Sequence, residues 1–180
     1  MISIDEIKKD ERFFIDEGEL EYLCNNTVIY KYKLQTIKLK KIRRWYKNEI
    51  FSIENTEHYK YLNDTSEDVS VDRIRDYYND KDNLIDNSKH SIQSYKDLNV
   101  EFENCNYDLK KGCIVVSQYN CILDGFHRCC ILYNKYGPNY AVNVLKLYIK
   151  TSRRLLLVKP FFEIKNEFKI ISKKIFNSGE

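Results

Sequence analysis

The sequence predicts an α+β domain with a small mixed sheet, and three observations lead there. Two short apolar runs, 113–117 and 121–123, flank Gln118-Tyr119-Asn120 as the arms of a β-hairpin. A marked helix follows the second arm, and a stretch rich in Val, Leu and Tyr, 140–149, reads as a strand after it. Upstream, residues 27–42 alternate apolar and polar side chains with the period of a strand.

The chain opens on Ser3-Ile4-Asp5-Glu6, the Ser-x-x-Glu form of a capping box, and Ile4, Ile7, Phe13 and Phe14 extend an amphipathic helix to about Phe14. In 27–42, Val28, Tyr30, Tyr32 and Leu34 share one face, whereas Ile37 and Leu39 share the other. The slip at Gln35-Thr36 predicts two strands or one bulged strand. Lys38, Lys40, Lys41, Arg43, Arg44 and Lys47 then form the strongest basic cluster, beside Trp45 and Tyr46. Basic residues among aromatics suit a nucleic-acid backbone or a polyanionic substrate, and they also describe a strand with a basic solvent face. Residues 55–62 read as a loop entering a short helix. The polar stretch 63–87, with one weak helix at 71–78, is long for a connection and has the character of a lid or a solvated insertion. Ile92, Tyr95 and Leu98 mark one side of a short helix in 88–98. Beyond Pro160, Phe161, Ile164, Phe168, Ile171 and Ile175 follow helical spacing among lysines, which suits packing on the domain, dimerisation or an anionic surface.

The stretch 121–128 is where chemistry concentrates. A short strand meets Asp124-Gly125, and the turn opens a helix that carries Phe126, His127 and Arg128 at its start. Phe126, Cys129, Cys130, Tyr133 and Tyr136 recur at helical steps; Asp124 is placed to cap the start, Gly137 to end the helix, and Pro138 to stop it. The opening amides of a helix lack internal partners and carry the positive end of its dipole, so the spot is built for an anion. A carboxylate at Asp124 repels phosphate unless a divalent cation lies between them or the side chain turns to receive a substrate hydroxyl.

Leu123-Asp124-Gly125-Phe126-His127-Arg128 resembles the DGxHR signature of the ParB/sulfiredoxin-like superfamily, and 107–149 follows that family's order of strand, hairpin, signature, helix and strand. The resemblance implies a ParB/sulfiredoxin-like domain at 27–150 with a phosphate-binding helix after the hairpin, an N-terminal helix and linker at 1–26, and a basic amphipathic C-terminal helix at 151–180. Free-serine kinases are closest in form, because their signature also sets Asp-Gly before the His-Arg pair. Sulfiredoxins place a catalytic Cys where this chain has Phe126, and the arginine-rich box and helix-turn-helix usual in ParB proteins are not found. The implied ligands are ATP or ADP, with CTP as an alternative, and Mg²⁺. Gly125, Phe126, His127 and Arg128 would bind the phosphates, Asp124 the metal. Asp124 and His127 are also candidate catalytic residues, with Glu57 as leading general base and Glu54 and Glu49 left open. Similar proteins from bacterial surface-polysaccharide loci show a Thr-x-His-Tyr element upstream. Thr56-Glu57-His58-Tyr59 matches it, which marks His58 and Tyr59 as substrate-binding.

The 180 residues suit one domain, and 43% hydrophobic with 32% charged is an ordinary composition for a packed chain. A net charge of +3 selects no partner. With no apolar run near 18 residues and no signal-peptide profile at its start, the expected location is the cytoplasm. No Cys-x-x-Cys occurs among the six cysteines, which read mostly as small buried side chains. Three functions stay open: a Mg²⁺-dependent kinase acting on a small hydroxyl-bearing metabolite in surface-glycan biosynthesis, a ParB-like nucleic-acid binder or nuclease-like protein using the basic cluster 38–47, and a non-catalytic nucleotide sensor. A homodimer is a further open partner.

Overall fold

The computed structural model describes residues 2–15, 28–46, 49–63 and 92–150. The helices expected at 71–78 and beyond Pro160, and Lys47, lie outside them. Strands β1 (Val28–Lys38), β4 (Ile114–Ser117), β5 (Ile122–Asp124) and β6 (Ala141–Lys150) form one mixed sheet in the order β1-β6-β4-β5. β1 runs antiparallel to β6, β6 parallel to β4, and β4 antiparallel to β5. A separate ribbon pairs β2 (Arg43–Tyr46) with β3 (Glu49–Ser52), and an isolated bridge ties Arg43 to Cys121 beside the hairpin. The helices are α1 (Ile4–Lys8), α2 (Glu57–Asn63), α3 (Ile92–Asn104) and α4 (Phe126–Tyr136). Among the described residues, no helix is long and apolar enough to cross a membrane.

Both faces of the sheet are buried, each along a different half of β1. Ile114, Val116, Val142 and Val144 join Ile37 and Leu39 in one core with Ile42, Ile53, Tyr95 and the apolar side of α4. Cys113, Val115, Leu145, Leu147 and Ile149 join Ile29 in a second core, completed by Ile7, Phe13 and Ile15. Neighbouring side chains on a strand point to opposite faces, so the two cores lie on opposite sides of the sheet. This accounts for the slip between Leu34 and Ile37. β1 is continuous through Gln35 and Thr36, where the covered face changes; the register irregularity falls between Ile29 and Lys31 and brings Ile29 to the face of Tyr32 and Leu34, opposite Ile37.

The capping box of α1 is present in full, with Ser3 Oγ accepting from the Glu6 N–H and the Glu6 carboxylate from the Ser3 N–H. The helix nevertheless ends at Lys8, short of the expected Phe14. Asp10 turns the chain by accepting the Arg12 N–H, and the next residues alternate strand-like, with Phe13 and Ile15 buried and Phe14 exposed. The Phe14 backbone bonds to Leu109 O and Cys113 N, so the segment runs extended beside the start of β4. No strand precedes the hairpin within 107–113; a turn at 109–111 stands in that place. α3 continues past Leu98 to Asn104 because Phe102 prolongs the buried side begun by Tyr95.

The helix between the hairpin and β6 formed as marked, with Gly137 (φ +79°) as C-cap and its N–H donated to Tyr133 O. Cys113, Cys129 and Cys130 are buried, and burial pushes the Cys130 thiol up to about 12. Gly125 is bound by contact as well as conformation. At φ +78° a Cβ there would lie 2.9 Å from both Cys113 O and Ile114 Cα. Gly125→Ala is expected to cost about 3 kcal/mol in urea unfolding, and Gly125→Asn to do no better, although Asn tolerates positive φ, because the added Cβ meets the same backbone.

Hydrogen bonds from Arg12 hold the Asp10 carboxyl at about 2, against its desolvation. Since the folded value lies below the ordinary one of about 3.9, the stabilisation is complete above that pH and disappears as pH falls toward 2. The difference in urea midpoint between wild type and Asp10→Asn should therefore shrink from pH 5 to pH 2. It should be small throughout, because Arg12 is largely exposed.

Candidate functional site

The start of α4 is assembled from three parts of the chain. A register irregularity in the β4–β5 pairing lies between Val115 and Val116 and sets Asp124 opposite Val115. Such bulges re-aim the side chains that follow them. Asp124 closes β5 and is not the N-cap; that position belongs to Gly125, whose left-handed backbone (φ +78°, ψ +28°) starts the helix without a side-chain cap. The Asp124 carboxylate instead accepts the Gly125 N–H through Oδ1. Cys129 is the first residue to donate within the helix, to Gly125 O at 3.0 Å, so the amides of Phe126, His127 and Arg128 precede the helical hydrogen bonds.

On one side of this opening lies a stack of rings. His58, fully buried at the start of α2, stacks on His127 with centroids 4.9 Å apart and planes at 29°. It meets Phe126 edge-on at 4.9 Å, and Tyr95 of α3 leans on both histidines. The Tyr95 hydroxyl donates to His58 O at 3.1 Å, which fixes the start of α2 to α3. From β2, the buried Arg44 sets its guanidinium over the Phe126 ring at 4.6 Å.

On the other side, Arg128 lies over Gly112. A Cβ at Gly112 would come within 2.5 Å of the guanidinium, so this glycine opens the place Arg128 occupies. Arg128 and Asp124 both act electrostatically on Cys113. Burial first, and then Asp124, push that thiol up to about 12, with Arg128 opposing. Burial also raises the Tyr107 phenol, opposed by the hydrogen bond from the Ile114 N–H and by Arg128.

The residues singled out in the sequence are thus partly gathered. His58 reaches His127 directly. Tyr59 packs farther along α4, edge-on to Tyr133 at 5.3 Å. Glu57 pairs with Lys60 on its own helix at 2.8 Å, while its Oε2 is buried with no hydrogen-bond partner among the described residues. Glu54 accepts the Tyr133 hydroxyl, and Glu49 is exposed on β3. The basic cluster divides. Lys38, Lys40 and Lys41 are exposed, Arg43 donates to Lys40 O and Ile42 O, and Arg44 turns inward onto Phe126. Arg44 and Tyr95 are the two members of the site that the motifs did not mark. Alternation from buried Ile42 to Arg44 was the available signal for the first.

Gly125 also has a packing role. Its missing Cβ makes room for the backbone of β4. Among the described residues no group of three or more His, Cys, Asp and Glu side chains is placed to hold a metal ion. Asp124 brings one carboxylate, a donor set that suits Mg²⁺ only when phosphate oxygens and water complete the shell. No family model, curated protein or solved structure matches the chain.

Removing the Tyr95 hydroxyl in Tyr95→Phe is expected to lower stability by about 1 kcal/mol, the loss of one hydrogen bond. His58→Ala, which empties the space between Phe126, Tyr95 and His127, should cost about 3 kcal/mol in the same urea titration.

Proposed function

We propose that the opening of α4 binds the phosphates of a nucleotide, and that the protein is a Mg²⁺-dependent phosphotransferase acting on a small hydroxyl-bearing metabolite. The observation that carries this reading is the gathering of His127, Arg128, His58 and Arg44 around the first turn of a helix whose leading amides precede its hydrogen bonds. Positive dipole, amides and basic side chains together favour an oxyanion group. The ParB/sulfiredoxin-like assignment rests on the Asp124-Gly125-Phe126-His127-Arg128 signature and on the hairpin, helix and strand order around it, within the mixed α+β fold.

In this mechanism the amides of Phe126 and His127, with the His127 and Arg128 side chains, orient the terminal phosphate and stabilise charge as it is transferred. Mg²⁺, held by Asp124 together with phosphate oxygens, would neutralise phosphate charge and thereby offset the repulsion of the carboxylate. Glu57, adjacent to His58, takes the proton of the acceptor hydroxyl, while the buried His58 supports the His127 ring and Tyr59 packs on Tyr133. The buried Oε2 of Glu57 supports that role; its pairing with Lys60 means that the carboxylate must exchange partners to act. A cytoplasmic location and a place in surface-glycan synthesis belong to the same proposal.

Calorimetric titration of ATP, ADP and CTP with Mg²⁺ tests the site. Binding by wild type should weaken about tenfold or more in His127→Ala/Arg128→Ala, since charge-assisted hydrogen bonds to phosphate are lost. Product formation that needs a hydroxyl acceptor and disappears in Glu57→Ala and Asp124→Ala supports the kinase. Binding without product makes the protein a nucleotide sensor, and no binding to any nucleotide overturns the phosphate site.

A further inference from the structure

A second surface, away from the opening of α4, has a different chemistry. β1 and β6 pair along almost their whole length without a single Asp or Glu, and one end of the pair carries Lys31, Lys33, Lys146 and Lys150. Where Lys31 stands opposite Tyr148 and Lys33 opposite Lys146, the apolar core around α4 has ended among the described residues: from β6 it takes Val142 and Val144. Tyr30, 51% exposed, meets Tyr148 at a centroid distance of 6.1 Å. The ammonium groups of Lys31 and Lys33 lie 5.6 and 5.8 Å from the centre of the Tyr148 ring.

Beneath them, Lys146 is buried and donates to Asn120 Oδ1 at 2.8 Å; desolvation draws its pKa down. Gln118 extends the β4 side of the sheet by bonding both to the N–H and to the carbonyl of Ile149, which leaves its neighbour Tyr119, 44% exposed, at the same end.

We infer that this end of the β1–β6 sheet is a binding surface for single-stranded nucleic acid. Tyr30, Tyr148 and Tyr119 offer rings on which bases stack, and Lys31, Lys33 and Lys150 offer cations for the phosphates between them. Stacking on aromatics combined with a lysine-lined backbone track binds single strands with little regard to sequence. A duplex keeps its bases stacked on one another and makes no use of the tyrosines. Lysines also guard an edge strand such as β1 against pairing with another chain. That role explains Lys31 and Lys33, but it does not require an exposed tyrosine between a half-buried one and solvent. The surface is distinct from the basic cluster at 38–47, whose Arg43 and Arg44 are engaged elsewhere.

Fluorescence anisotropy with the full chain and a labelled oligo(dT) of about 15 nucleotides tests the inference. The expected results are binding that weakens with salt, a loss of about tenfold in Tyr30→Ser, and a larger loss in Lys31→Glu/Lys33→Glu. Lys31→Ala/Lys33→Ala should lower the salt slope by about 0.7 for each phosphate contact removed. Lys38→Glu/Lys40→Glu/Lys41→Glu and His127→Ala/Arg128→Ala should bind as wild type, which separates this surface from the nucleotide site. The inference is overturned if the oligonucleotide does not bind, if duplex binds equally well, if the 38–41 variant loses as much as Lys31→Glu/Lys33→Glu, or if vesicles with anionic lipid compete fully for Tyr30.

Discussion

The close approach of Gly125 to β4 is the constraint on which the candidate site depends. With its Cβ position 2.9 Å from the carbonyl of Cys113 and the Cα of Ile114, α4 starts against the backbone of the sheet, with no side chain between. The helix is thereby fixed in position and rotation at its first turn. Phe126 must then enter the core beneath Arg44, His127 must meet His58, and Arg128 must cross back over Gly112. The two glycines act as a pair, one admitting the helix to the strand and the other admitting the guanidinium to the loop before that strand.

Around this contact the protein encloses polar groups in aromatic walls. His58 is fully buried and packs against Phe126, Tyr95 and His127, and the Tyr95 hydroxyl bonds the His58 carbonyl. Rings that pack edge-on or offset keep one another in a narrow set of rotamers, so the imidazole of His127 is oriented before any ligand arrives. A preorganised donor costs less to use than one that must be ordered on binding.

The sheet serves two cores, and this has consequences for the surface. Among the described residues, each core covers one face over part of the β1–β6 pair, at opposite ends of the sheet. At one end lie Thr36, hydrogen bonded to Asn143, and Lys38; at the other lie Tyr30, Lys31, Lys33 and Tyr148. The first of these ends is small and polar, whereas the second joins rings to cations.

The sequence by itself determined the hairpin, α4 and β6, because strand alternation, the Asp-Gly turn and the Gly-Pro stop are local signals read within a few residues. It likewise determined the capping box of α1 and the short helix after Thr56. It misjudged the length of α1, since Phe13 and Phe14 fit a helical count but alternate in burial once Asp10 turns the chain beside β4. It assigned Asp124 the cap because Asp is a good N-cap, whereas the glycine after it, set by contact with Ile114, takes that position. Only the tertiary structure decided that Arg44 leaves the basic cluster for Phe126, that Tyr95 and His58 close on His127, and that β1 changes its covered face without a break. Each depends on which distant surface packs against the residue, and that information is spread over the whole fold rather than carried by its neighbours in the chain.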